Sequence, residues 1–391
     1  MTQVIATTGN TCAAIGAALA KPDIVAAYPI TPQSSVVEYY AKMIADGKVS
    51  SRMVQVESEH SAMSVVQGAA MAGARTFTAT SAQGLALMFE PYFRMSTLRL
   101  PMVMAIAGRE MTSPETIWGG QQDSISVRDA GWMQVYVESN QEILDMIIQG
   151  YRIAEMQNVL LPVNVCYDGF YLSHLTERVE IPDQAQVDLF LPPYKQTHLI
   201  LDPDRPMAVD PLTPGDILWK YRKDHLDAMQ AALEVIDQVD NEFASVFGRK
   251  YGGVIENYRC DDAETVIVAM GSMCGTAKEA VDIKRSEGVK VGLLKVRFMR
   301  PFPTKKIQKI LEGKKAFAVV DRNVCFGWNT GSLYQEVVAA VNNGGLKANK
   351  IPVIGGLGGA DITLRHFLDL INVLEEGKEQ EIEYETIWLK K

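Results

Sequence analysis

The sequence predicts an α/β fold: a doubly wound parallel sheet followed by a smaller α/β domain. Three observations predict it. Over residues 1 to about 170, short apolar runs alternate with helix-length stretches, the βαβ rhythm of a parallel sheet. Several of those runs are almost wholly apolar, as strands are when both faces of a sheet are covered. The rhythm breaks over a proline-rich interval, 181–214, and restarts after Asp261-Asp262.

In chain order, the first strand is Ile24-Val25-Ala26-Ala27, which runs into Tyr28-Pro-Ile-Thr-Pro-Gln-Ser-Ser35. Pro29 and Pro32 fix their own φ and push the preceding residues toward extended geometry, so Ile30-Thr31 is held open beyond the strand end. Further strands are predicted at 52–56, 76–80, 102–107, 134–137 and 161–166, with helices at 61–73 and 140–155. Prolines at 182, 192, 193, 203, 206, 211 and 214 make 181–214 an extended, irregular connection. An amphipathic helix follows, with Leu226, Met229, Leu233, Ile236, Val239, Phe243 and Phe247 at three- and four-residue steps and a stop at Gly248. Strands at 265–270, 290–296, 316–321 and 350–354 form the second unit. The expected domains are 1–250 and 251–391.

Composition narrows the function. The chain has 391 residues, 47% hydrophobic and 22% charged, with a net charge of −9 and no basic stripe, which argues against nucleic-acid binding. No apolar run reaches the ~18 residues of a membrane span. The N-terminus does not read as a secretory signal, so the expected location is cytoplasmic. Five scattered cysteines (12, 166, 260, 274 and 325) include no C-x-x-C pair, which excludes the usual iron–sulfur and zinc spacings.

Chemistry-bearing residues cluster where strands end, the ligand-binding edge of open α/β sheets. Gln55-Val-Glu-Ser-Glu-His60 runs from strand into helix, and Glu59 reads either as a functional acid or as a first-turn helix acid. Thr78-Ala-Thr-Ser-Ala-Gln-Gly84 is a small, polar strand end whose hydroxyls would equally suit helix capping. Arg109 leaves an apolar strand for the long loop ending at Gly119-Gly-Gln-Gln-Asp123. Its guanidinium matches a carboxylate bidentately, or pairs with Glu110, Glu115 or Asp123. Gly215-Asp216 with Asn241 imitates a Gly-Asp-Gly…Asn magnesium anchor, but Ile217 stands where the second glycine belongs, so the match is accidental.

These segments resemble the α subunit of the 2-oxoacid:ferredoxin oxidoreductases, the pyruvate synthase family, through Tyr28-Pro-Ile-Thr-Pro32, the Glu57 to Ala70 segment, and the run from Ala105 to Asp123. The likeness continues through Arg128-Asp-Ala-Gly-Trp, Asp168-Gly-Phe, Phe247-Gly-Arg-Lys-Tyr251, Arg300-Pro-Phe-Pro303 and Gly356-Leu-Gly-Gly359. It implies a thiamine-diphosphate-fold domain of the pyrimidine-binding type, then a transketolase C-terminal-like domain. It also implies CoA-dependent oxidation of pyruvate to acetyl-CoA and CO2 with reduction of ferredoxin. Glu59 aligns with the acid that hydrogen-bonds N1′ of the aminopyrimidine; Arg109 and Thr31 align with the residues that hold the substrate carboxylate. Tyr28, Pro29, Ile30, Ser81 and Gly84 align with the lining of the cofactor crevice. A β subunit would hold thiamine diphosphate and Mg²⁺, a δ subunit [4Fe-4S] clusters, and a γ subunit would complete a dimer of heteromers.

One departure bears on the substrate. Many pyruvate-type relatives carry a His in the loop before Asp123, where this chain has Gly119-Gly-Gln-Gln122. Branched-chain or aryl 2-oxoacids and 2-oxoglutarate therefore stand as alternatives. Oxalate-type relatives place an arginine at the position of Thr31, which argues against oxalate. A non-catalytic scaffold subunit is the alternative of a different class, and Glu59 discriminates it. A nucleotide-dependent dehydrogenase needs a Gly-x-Gly-x-x-Gly after the first strand, and residues 28–35 do not supply one.

Overall fold

The computed structural model describes residues 3–379 and 385–390, whose strands form three sheets. The largest carries six parallel strands in the order Met133–Tyr136, Val163–Asp168, Val103–Gly108, Thr76–Thr80, Ile24–Ala27 and Arg52–Gln55. All six fall on intervals read as strands from the sequence. Alternate side chains enter opposite cores. Val103, Ala105 and Ala107 pack among residues of the helices Gly9–Ala20 and Asn140–Ala154, whereas Met104 and Ile106 pack among those of Glu59–Met71 and Phe89–Thr97.

The second sheet runs Ile387–Trp388, Asn349–Ile354, Ala316–Asp321, Thr265–Ala269, Val291–Val296 and Ile255–Tyr258, parallel except for the last. A strand from the same half of the chain, Phe298–Arg300, crosses to the first sheet and pairs antiparallel with Met133–Tyr136.

Two expectations need correction. Residues 181–214 are irregular only in part. Thr176–Ile181 pairs antiparallel with Gln3–Thr8, and Gln184–Phe190 is a helix with Val187 and Phe190 buried. Phe190 meets Phe243 edge-on at 5.3 Å, so apolar burial orders a stretch that its flanking prolines suggested was open. The amphipathic helix is also longer, Gly215–Phe247, ending where Gly248 takes φ 72°. Its buried stripe begins at Ala228, and Leu226 is 64% exposed. Periodicity identifies the apolar face of a helix, not what covers it. The first turns project from the first core with Ile217, Trp219 and Tyr221 exposed.

Buried charge joins the two sheets. Glu142, in the first turn of Asn140–Ala154, accepts from Lys295 at 3.0 Å and from Arg297 at 2.8 Å. Burial alone would raise the Glu142 carboxyl, but Lys295 and Arg297 outweigh it and hold the group at about 2. Its stabilising contribution is therefore complete above the usual value of 4.5 and is lost as pH falls toward 2. Glu142→Gln leaves Arg297 buried without a carboxylate, which should cost about 3–5 kcal/mol at neutral pH. Chemical unfolding of wild type and variant should show that gap, and the gap should close as pH falls through the same window.

Candidate active site

Four neighbouring strands of the first sheet, Val103–Gly108, Thr76–Thr80, Ile24–Ala27 and Arg52–Gln55, bring their carboxyl ends side by side at one edge, where sheets of this kind form their ligand crevice. The chain passes from Ile24–Ala27 to Arg52–Gln55 on one side and then to Thr76–Thr80 on the other. Such a reversal of winding is the point at which open α/β sheets bind ligands.

After Ala27 the chain rises into Tyr28-Pro29-Ile30-Thr31. Gln33 braces this turn: its N–H donates to the Ile30 carbonyl at 2.7 Å, and its side-chain oxygen accepts from the Ile30 N–H at 3.4 Å. Tyr28, Pro29 and Thr31 remain exposed. The Thr31 carbonyl accepts from Arg109 Nη1 at 2.9 Å, while its hydroxyl has no partner among the described residues.

Glu59 is the first residue of the helix Glu59–Met71, which Ser58 caps by accepting from the Ser61 N–H at 3.2 Å. The side chain is 6% exposed and packs onto Gly84, where a Cβ would stand 2.6 Å from Oε1. Among the described residues this carboxylate has neither a hydrogen bond nor an ion pair. Burying a carboxylate without a partner is expensive, so the arrangement suits a group that completes its hydrogen bonding with a ligand. Glu57, two residues earlier, is exposed and accepts from the Ser61 hydroxyl at 2.5 Å.

Ser81 does not cap the helix Ala82–Leu87 that follows it. Its hydroxyl donates instead to the Ala107 carbonyl at 2.8 Å, tying two strand ends together. Gly84 serves by its missing side chain, since any Cβ there would displace the Glu59 carboxylate.

Arg109 is 5% exposed, and each nitrogen of its guanidinium makes one hydrogen bond. It donates to the Thr31 carbonyl, to the Thr116 carbonyl at 3.0 Å and to Glu115 at 2.8 Å. Of the three carboxylates the sequence offered it, Glu115 is its partner. Glu110 turns away to accept from the Gly358 N–H at 3.2 Å, and burial pushes its carboxyl up to about 7. Because the Glu115 side chain is 66% exposed, the ion pair lies at the solvent side of the crevice, where water screens it.

Asp123, another of the acids the sequence offered to Arg109, meets the backbone of that residue and not its guanidinium. It is wholly buried and accepts from the backbone N–H groups of Ala82 and Arg109, each at 2.9 Å, and of Ser124 at 2.6 Å. Burial raises its carboxyl to about 6 against the pull of these amides. The sequence also left unread the contact between the carboxyl edges of the two sheets. Asp168 pairs with Arg322 at 3.0 Å and accepts from the Ser272 hydroxyl and N–H. Gly359 donates to the Gly119 carbonyl at 2.7 Å, and a Cβ on Gly359 would meet Trp118. The glycines of both loops permit this approach, with Gly358 and Gly359 at φ 59° and 74°.

The model of the pyruvate flavodoxin/ferredoxin oxidoreductase thiamine-diphosphate-binding domain matches residues 15–241. The chain belongs to the pyruvate:ferredoxin oxidoreductase family. The family's core domain II matches residues 263–367. The chain is 50% identical to the α subunit of NADH-dependent phenylglyoxylate dehydrogenase from Aromatoleum evansii, over 95% of this chain and 91% of that one. It is 47% identical to pyruvate synthase subunit PorA of Methanocaldococcus jannaschii, over 100% and 98%. With ketoisovalerate oxidoreductase subunit VorA of Pyrococcus horikoshii the identity is 45%, over 96% of each chain. Among solved structures, a 2-oxoglutarate:ferredoxin oxidoreductase from Magnetococcus marinus superposes with a TM-score of 0.74 at 22% identity over 95% of this chain. The chain spans 65% of that protein's length. A split-gene transketolase superposes at 0.55 and 14% identity over 96% of this chain and 99% of that one, a likeness of fold alone.

Gly215 and Asn241 lie on one continuous helix, about 39 Å apart at 1.5 Å per residue, so they cannot share an ion. Among the described residues no three His, Cys, Asp or Glu side chains gather as a metal site, and no helix is long and apolar enough to cross a membrane. Gly84→Ala tests the packing under Glu59. The added methyl should displace the carboxylate and press on the buried Thr80 hydroxyl, lowering oxidoreductase turnover at least tenfold with the circular dichroism spectrum unchanged and the melting temperature lowered by a few degrees.

Proposed function

We propose that this chain is the α subunit of a CoA-dependent pyruvate:ferredoxin oxidoreductase and supplies Glu59, Arg109 and Thr31 to a site shared with a β subunit. The observation that carries the reading is Glu59: a buried carboxylate without a partner among the described residues, seated against Gly84 at the carboxyl end of a parallel sheet. Thiamine diphosphate fits there, because the N1′ nitrogen of its aminopyrimidine is the kind of partner this carboxylate lacks. When bound, it supplies a nucleophilic carbon and an electron sink for decarboxylation.

Glu59 holds a proton at N1′ and so controls the protonation of the pyrimidine ring. Tyr28, Pro29, Ile30, Ser81 and Gly84 shape the crevice wall. Arg109 and the free hydroxyl of Thr31 face the substrate carboxylate, with Glu115 as the exposed counter-ion that substrate replaces. Giving up Glu115 costs little, because water screens a pair at the solvent side, and a carboxylate bound deeper would meet the guanidinium with less screening.

Mg²⁺ and the diphosphate anchor are assigned to the β subunit, and [4Fe-4S] clusters to a δ subunit alongside γ. The separation of Gly215 from Asn241 and the absence of any C-x-x-C from the sequence support that division. Exposed Ile117, Trp118, Phe326 and Trp328, on the loops flanking the crevice, suit a covered surface. Cytoplasmic residence belongs to the same proposal. A second substrate reading, phenylglyoxylate or 2-oxoisovalerate, is favoured by Gly119-Gly-Gln-Gln122 and by the 50% and 45% identities to relatives named for those acids.

Three experiments test the reading. In the assembled complex, Glu59→Gln should retain thiamine diphosphate and lose on the order of 10³-fold in turnover, several kcal/mol of barrier; activity within a fewfold of wild type would instead indicate a scaffold. Arg109→Met should raise KM and lower kcat together, because the carboxylate contact acts in both ground and transition states. A panel of pyruvate, 2-oxobutyrate, 2-oxoisovalerate, phenylglyoxylate, 2-oxoglutarate and oxalate should show best turnover with a monocarboxylate, since one fixed cation matches one carboxylate.

A further inference from the structure

We infer that Asp123 is a positioning residue that sets Arg109 and the loop 81–84 in a single geometry, fixing the two halves of the site relative to each other. The inference rests on the proposed role of Arg109 in holding the substrate carboxylate. One oxygen of Asp123, Oδ2, accepts from the backbone N–H of both Arg109 and Ala82, each at 2.9 Å. These two residues lie just beyond adjacent parallel strands, Arg109 opening a loop and Ala82 opening the helix Ala82–Leu87, so a single atom sets the separation of the two strand exits. Ala82 sits at φ 41°, a left-handed conformation that disfavours a residue with a Cβ, and its N–H points at the carboxylate. Two residues further on, Gly84 carries the Glu59 carboxylate on its Cα and donates its own N–H to the Ser81 carbonyl at 2.9 Å.

The carboxylate is itself held from two sides. Ser124 accepts from the Tyr136 hydroxyl at 2.9 Å, and its carbonyl from the Gln134 amide at 2.9 Å, both from the strand Met133–Tyr136. From the second sheet, the backbone of Val324 exchanges two hydrogen bonds with the Gln122 side chain at 2.9 and 3.1 Å. The Gln121 N–H donates to the Arg322 carbonyl at 3.2 Å. Only a carboxylate satisfies the position. It presents acceptors on both oxygens, whereas an amide of the same shape would set an NH2 against either the Ser124 N–H or the pair from Ala82 and Arg109.

The test is a double-mutant cycle in the assembled complex with the best 2-oxoacid substrate. Asp123→Asn should raise KM at least tenfold while melting within a few degrees of wild type. In the Arg109→Met background it should change KM less than twofold, because the contact through which it acts is already gone. A purely structural residue would lower kcat and melting temperature in both backgrounds alike. If Arg109→Met leaves KM unchanged, the role of Arg109 falls and this inference with it. If Arg109→Met raises KM but Asp123→Asn stays within twofold of wild type, or the two effects multiply fully, this inference alone is overturned. Should Asp123→Asn fail to assemble, Gln122→Ala cuts the tie to Val324 and loosens the same support. It should then raise KM threefold or more in the wild-type background and leave it unmoved with Arg109→Met; any other pattern counts against the inference.

Discussion

The reversal of winding about Ile24–Ala27 is the constraint on which the site depends. Parallel strands all point their carboxyl ends the same way, and the reversal parts the loops at that edge into two sets with a gap between them. The gap admits Tyr28–Thr31 from one strand, Glu59 from a second, residues 81–84 from a third and Arg109 from a fourth. None of these segments is close to another in the chain. The distances among them are set by the spacing of strands in the sheet, which side-chain substitutions hardly alter.

The second sheet contributes a wall more than a set of reacting groups. Its carboxyl edge faces that of the first, and the meeting is polar: Asp168 with Arg322 and Ser272, Gln122 with Val324, Gly119 with Gly359. Such a junction is directional. Apolar surfaces slide past one another at little cost, whereas a buried ion pair with shared backbone bonds has one register. Further along the interface, Glu142 with Lys295 and Arg297 repeats the arrangement. The two halves of the chain are thus oriented by charge at both ends of their contact.

Much of this was legible in the sequence, because the parallel strands are short apolar runs and the candidate site residues sit just beyond them. Glu59 and Arg109 stood out as polar residues at the mouths of apolar strands, where a charge needs a reason. Other features left no local trace. Gln3–Thr8 and Thr176–Ile181 form a half-exposed ribbon whose mixed residues carry no apolar run to mark a strand. Phe298–Arg300 has three residues, too few for any periodicity, and its partner lies in the other half of the chain. Asp123 read as one more acid in a polar loop. Its burial comes from a strand, a neighbouring loop and the second sheet converging on it, which one-dimensional pattern cannot register. The prolines of 181–214 carry no mark that separates them in the sequence, although those from Pro192 to Pro211 lie in irregular chain while Pro182 and Pro214 stand at the starts of helices.

The crossing of Phe298–Arg300 has a bearing on the chain's history and engineering. A boundary drawn between the sheets by sequence, near residue 250, does not divide the molecule into separable parts, since the first sheet borrows its edge from beyond that boundary. Severed there, the first part would present the N–H and C=O groups of Met133–Tyr136 unpaired, an invitation to pair with a foreign strand. Recombination that exchanged the second half for another would have to preserve this one short segment and its reach across the junction. The two halves therefore share a single piece of topology, even though each carries its own sheet.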